Sequence, residues 1–190
     1  MERVNLLGNK LKVLLAGMVF NFYWLVAVWG QYRFTYILVF ILIATWFMES
    51  KAWRFSVLAS IPGIVIDSML RHWQMFDFPI PNRTPLFFNV ESIGLIPTWL
   101  ILLWLGFTTF VWVLRTSING FATHWLLVAG SLGGALSYWS GMKLGAVIWQ
   151  LETLDTFFVL IVIWFAVTAY LLWLLRILNK EPNNPTAKEQ

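Results

Sequence analysis

TFFVLIVIWFAVTAYLLWLL, Thr156–Leu175, runs for twenty residues without a charge and stops at Arg176. At 1.5 Å per residue a helix of that length covers the roughly 30 Å hydrocarbon core of a bilayer. Working outward, the same pattern recurs. Val13–Gly30 is free of charge and follows Arg3, Lys10 and Lys12; it carries Asn21, Tyr23, Trp24 and Trp29 and has no small-x-small cleavage signal, so it reads as a retained span. Gln31, Tyr32 and Arg33 make a tight turn into Phe34–Met48, and Glu49, Ser50, Lys51 and Arg54 form the next break. Phe55–Leu70 is interrupted by Ser56, Ser60, Pro62, Gly63, Asp67 and Ser68, which neighbouring helices can satisfy. After a Pro-containing connection over 71–97, Thr98–Leu114 and His124–Met142 complete the set.

Composition agrees. Of 190 residues 59% are hydrophobic and 12% charged, where a soluble domain is about 45–50% apolar and 25% charged. No Cys and two His exclude disulfides, thiolate sites and a histidine-rich metal cage, and no metal or cofactor is expected. Thirteen Trp and sixteen Phe suit a surface in contact with lipid. The expected fold class is all-α, an integral membrane bundle of about six transmembrane helices. Residues 1–180 would form one polytopic domain and 181–190 a polar cytoplasmic tail. With both termini cytoplasmic, nine Lys or Arg fall on the inner side against Arg33, Arg71, Arg83 and Lys143 outside. The net charge of +4 is then a topology signal and an attraction to anionic lipid, not a nucleic-acid footprint. No tandem repeat at a fixed period and no inverted half-to-half symmetry is expected.

Four constellations could carry chemistry. Asp67 precedes Arg71 by four residues, so both share a helix face, with His72 alongside. An intramembrane carboxylate marks a functional site by default, and an Asp67–Arg71 ion pair is the structural alternative. Gly133, Ser137, Gly141 and Gly145 repeat every four residues in the fifth span, with Gly130 and Gly134 as an offset pair. Helix packing is the first reading of such a ladder and a ligand cleft the second. Tyr138 lies about 100° round the helix from Ser137, and Lys143 is placed to snorkel. Asn21 is expected to hydrogen-bond a neighbouring helix, or else to line a polar cavity. Trp99 is placed for an aromatic belt, whereas Trp104 lies deeper and needs a partner for its indole N–H. Asn82–Thr84 fits a glycosylation sequon, while Glu91, Glu152 and Asp155 read as solvated charges. Nucleophile-elbow, zinc-protease, phosphate-loop and magnesium-diphosphate motifs do not occur.

Three runs taken in order carry a resemblance: Gly-Ile-Val-Ile-Asp67-Ser-Met-Leu, then PTWLILLWLGF from Pro97 through Trp99 and Trp104 to Phe107, then GGALSYWSGMKLGA from Gly133 to Ala146. With Asn21 they resemble a bacterial inner-membrane family known as domain of unknown function 2878, over nearly the whole chain. In that family a Pro follows the paired small residues of the fifth span; here Ala135 stands there. The resemblance implies localisation in the bacterial cytoplasmic membrane and, by gene association, a setting of fatty-acid modification. It implies no reaction.

Three functions fit. The first is a non-catalytic accessory or scaffold protein whose partners are membrane lipids and lipid-modifying enzymes. The second is a small enzyme acting on a lipid in the outer half of the bilayer, with Asp67 as acid/base and Tyr138 and Lys143 assisting. The third and weakest is a transporter of lipids or small solutes.

Overall fold

The computed structural model describes residues 2–79 and 94–178, with side chains from Leu11 onward. The chain forms α1 (Glu2–Gly30), a 3-10 turn at Gln31–Phe34, α2 (Thr35–Met48), α3 (Ala52–His72), β1 (Phe76–Asp77), α4 (Thr98–Val113), the single turn α5 (Arg115–Ile118), α6 (Thr123–Lys143), β2 (Ile148–Trp149) and α7 (Thr153–Leu178). Each of the six apolar runs picked out above thus lies in a helix. By length and apolarity three helical stretches could cross a bilayer: Leu11–Met48 (which contains the α1–α2 turn), Ala52–His72 and Thr153–Leu178. The protein is an all-α membrane protein.

The long helices alternate in direction. At one end Glu49, after α2, lies 4.0 Å from Lys12 of α1 and 3.4 Å from Arg115 beyond α4. There too Arg176 of α7 donates to Thr123 Oγ1 of α6 at 2.6 Å. At the opposite end β1 and β2 pair antiparallel, Phe76 with Trp149 and Asp77 with Ile148.

The ribbon depends on how α3 and α6 stop. In α3, Gln74 takes φ 57°, its N–H reaches Arg71 O, and Met75 N–H reaches Leu70 O. In α6, Gly145 takes φ 73°, its N–H reaches Met142 O, and Ala146 N–H reaches Gly141 O. Both are Schellman closures, in which a left-handed residue satisfies the last carbonyls and turns the chain sharply. The two positions are 71 residues apart. The order helix, Schellman turn, short strand, helix therefore occurs twice, as α3–β1–α4 and α6–β2–α7. The two copies run in the same direction, so the recurrence is not an inverted one; what they share is geometry at a few positions, which composition hides. That geometry corrects the reading of Gly145 as part of the glycine ladder, because that residue caps the helix.

Polarity is distributed as lipid exposure requires. Phe47 is 84% and Val162 69% exposed, whereas Ser56, Ser60, Asp67, Thr108, Thr109, Ser131 and Thr156 are buried. In hydrocarbon an exposed apolar side chain costs nothing, while polar groups must find partners inside the bundle. Several do so across helices: Ser56 Oγ donates to Leu105 O at 2.8 Å, Trp46 Nε1 to Thr109 Oγ1 at 3.0 Å, and Tyr23 OH to Leu102 O at 2.7 Å, whereas the indole N–H groups of Trp99, Trp112 and Trp149 are buried without one.

Candidate functional site

Two indoles lie at the centre, gripped by two glycines. Trp104 of α4 and Trp164 of α7 stack with centroids 5.2 Å apart and planes 11° apart. Behind Trp104 lies Gly63 of α3, where an added Cβ would come within 2.5 Å of the ring. Behind Trp164 lies Gly134 of α6, where a Cβ would fall 1.9 Å from the ring. A bare backbone on either side is what lets four helices close on flat aromatic faces.

One turn beyond each glycine, on the same helix face, stands a polar side chain: Asp67 after Gly63 and Tyr138 after Gly134. They meet. Tyr138 OH donates to Asp67 Oδ2, and Trp104 Nε1 donates to the same oxygen at 2.7 Å. Asp67 is 2% exposed, so this carboxyl group is closed off and ties α3, α4 and α6 together. Tyr138 is held further by Phe76 of β1, stacked at 5.6 Å, and by the edge of Trp164 at 6.1 Å. Phe107 lies edge-on to both indoles, at 6.1 Å from Trp104 and 5.5 Å from Trp164.

A cleft of about 270 Å³ opens beside this cluster, between α1 and α6. Its walls include Phe20, Trp24, Leu103, Phe107, Gly133 and Tyr138. Trp24 Nε1 crosses from α1 to donate to Ser137 Oγ at 2.8 Å. Below that bond nothing lies within 4 Å of a Cβ added at Gly133.

With this geometry established, comparison with known proteins adds one result. Residues 13–170 match the family described as protein of unknown function (DUF2878). The chain belongs to that family. No curated protein and no solved structure matches it.

In this member of the family the candidate residues separate clearly. Asp67, Trp104, Phe107, Tyr138 and Gly134 form the central cluster, while Gly133 and Ser137 line the cleft. Gly130 packs against Thr168 of α7, where a Cβ would come within 2.3 Å; Gly141 has only ordinary contacts, with Val147 at 3.6 Å. The glycine faces of α6 therefore do different things: 130 and 134 pack on α7, and 133 opens the cleft.

Other residues fall outside the cluster. Arg71 makes no ion pair with Asp67, because it donates to Leu95 O, while Trp104 and Tyr138 occupy the carboxyl group. That corrects the ion-pair alternative. Asn21 is exposed and donates to Gly17 O of its own helix at 2.9 Å, so it neither bridges helices nor lines the cleft. Lys143 is exposed over the Trp139 ring at 5.7 Å, away from Asp67, and His72 is exposed at the end of α3. Trp99 is 3% exposed and edge-on to Phe78 at 6.2 Å, so it is an interior residue and not part of an aromatic belt. Pro97 is buried directly before α4, and its carbonyl accepts from Leu100 and Ile101 N–H. Ala135 is fully buried in an unbroken α6. Asn82–Thr84, Arg83, Glu91 and the tail from 179 lie outside the described residues.

Sequence reasoning missed Gly63, Trp164, Phe76 and the Trp24–Ser137 bond. A signal for two of the elements existed: Ser60-x-x-Gly63-x-x-x-Asp67 and Ser131-x-x-Gly134-x-x-x-Tyr138 lie 71 residues apart.

Proposed function

We propose that the protein is a non-catalytic accessory component of a bacterial cytoplasmic membrane, working beside lipid-modifying enzymes. The observation that carries this reading is the closed state of Asp67. Its Oδ2 is taken by one indole and one phenol donor and its surface is covered, which is how a structural tie across three helices is built. The reading includes a six-span topology with cytoplasmic termini. It is supported by the charge at the Glu49 end, where Lys12, Lys51, Arg54, Arg115 and Arg176 gather, against Arg33, Arg71 and Lys143 at the ribbon end.

One observation favours the enzyme reading: Tyr138 touches both Asp67 and the cleft, so its phenol could relay a proton to a lipid there. Lipid profiles of cells carrying a deletion, Asp67→Asn or Tyr138→Phe separate the two. The accessory reading expects an altered profile in the deletion and a near-normal one in both point variants. Point variants that fold, express normally and still reproduce the deletion profile would establish catalysis instead. A deletion that leaves the profile unchanged would remove the link to lipid modification.

A further inference from the structure

We infer that the cleft between α1 and α6 is a binding site for one acyl chain of a bilayer glycerophospholipid, entered sideways from the leaflet on the ribbon side. The inference rests on the membrane placement of the bundle and is independent of whether the protein is catalytic.

Three observations lead there. First, the cleft opens to the outside of the bundle: Ala129 and Gly133 of its lining are exposed, and the exposed surfaces of the two helices beyond it are apolar, with Phe22 and Leu25 on α1 and Leu132 and Leu136 on α6. Its mouth therefore faces hydrocarbon, and an apolar space open to hydrocarbon is filled by hydrocarbon. Second, the walls are rigid. Trp104 and Trp164 are clamped between glycines, Phe107 is set edge-on against both, and Phe20 stacks on Phe110 at 4.6 Å. A preformed aromatic wall binds a flexible chain without itself losing further rotamer freedom.

Third, the polar groups sit at one end only. Ser137 Oγ accepts from Trp24, which leaves its own hydroxyl proton to donate; Tyr138 donates to Asp67, which leaves its oxygen lone pairs to accept. Both lie towards the ribbon end of the cleft, whereas Phe20, Phe107 and Gly130 form its apolar depth. An ester carbonyl placed beside Ser137, with its chain running down α6 towards Ala129, satisfies both halves of this surface. A fully apolar guest would leave the Ser137 donor unused, and a soluble polar ligand would find no partners below it. The Trp24–Ser137 bond is kept when the ester binds, because the ester takes only the proton that Ser137 does not already use.

Gly133 makes the test clean, because a side chain added there enters the cleft without meeting anything within 4 Å. The full chain is reconstituted in phosphatidylethanolamine–phosphatidylglycerol vesicles containing a phospholipid with a diazirine in its acyl chain, then photolysed and mapped by peptide mass spectrometry. A diazirine next to the carbonyl should label Trp24 and Tyr138; one at the chain terminus should label Phe20 and Phe107. Phe47, exposed on the outer face, reports bulk lipid. Gly133→Leu should lower the cleft labels about tenfold, equivalent to about 1.4 kcal/mol, with Phe47 unchanged. Gly17→Leu, also in open space but outside the cleft, should change neither. Ala129→Trp is the second plug if Gly133→Leu does not fold. Cleft labels that persist in a folded plugged protein, or are absent while Phe47 is labelled, overturn the site. An unlabelled Phe47 overturns the membrane placement and the site together.

Discussion

Gly133 and Gly134 are neighbours on one helix, and alanine at each should have opposite effects. At Gly134 a Cβ would sit 1.9 Å from the Trp164 ring, so the indole must retreat by about 1.5 Å to reach the 3.4 Å of ordinary contact. The indole has no free direction, because Trp104 stacks on its other face and Trp104 is itself backed by Gly63 and bonded to Asp67. Overpacking of this kind costs about 1–3 kcal/mol, and a disturbed aromatic stack adds roughly 0.5–1.5 kcal/mol. The entropic gain of Ala over Gly in a helix returns about 0.5–1 kcal/mol. Gly134→Ala should thus lose about 2 kcal/mol, or roughly 6 °C in melting temperature for a chain of this size. Gly133→Ala meets nothing, keeps only the helix gain, and should melt about 2 °C above the parent. The assay is a thermal scan of purified protein in mild detergent, followed by intrinsic tryptophan fluorescence. A Gly134→Ala protein that melts with the parent, or a Gly133→Ala protein that falls instead, would refute the assignment of these two faces.

Further outcomes follow from the same geometry. Asp67→Leu strands the Trp104 and Tyr138 donors and should cost about 2–4 kcal/mol, whereas Asp67→Asn keeps an acceptor oxygen and should lose less than half of that; equal losses would contradict the tie. Arg71→Gln should leave melting within about 2 °C of the parent, because Arg71 is not the partner of Asp67. Glu49→Gln weakens pairs at 3.4 and 4.0 Å that are open to solvent, and should cost about 1 kcal/mol or less, shrinking further in high salt. The chain has no Cys, so single cysteines report topology directly: Arg33→Cys and Lys51→Cys should react with a membrane-impermeant reagent from opposite faces. Reaction from one face would remove the alternating arrangement.

The helices were legible because each apolar run is bounded by charges or turn residues, and such runs have little choice of structure in lipid. Span ends agreed to within a turn where Gly30, Arg71 and Lys143 mark them. Trp104 announced its need for a partner, and the partner is Asp67. What could not be read was direction within a helix that is apolar all round. Asn21 looks interior by its chemistry yet sits on the outside, because its amide is satisfied one turn back at Gly17. Asp67 and Arg71 share a face by spacing, but that face tilts into the bundle at 67 and out past its end at 71, so spacing alone suggested a pair that does not form. The glycine ladder hid two roles at adjacent residues, since only the partner helix decides whether a missing side chain is filled by a ring or left open.

Asp67 and Tyr138 occupy matching places in the two similar halves, one turn past a glycine that backs an indole, and they face each other. Where matching positions meet across such a seam, identical residues make poor company. Two carboxylates would repel in a medium that screens almost nothing, and two phenols would leave one proton without an acceptor. One acceptor and one donor resolve this, and in doing so they make the halves inequivalent. The seam is thereby keyed: α3 cannot exchange roles with α6.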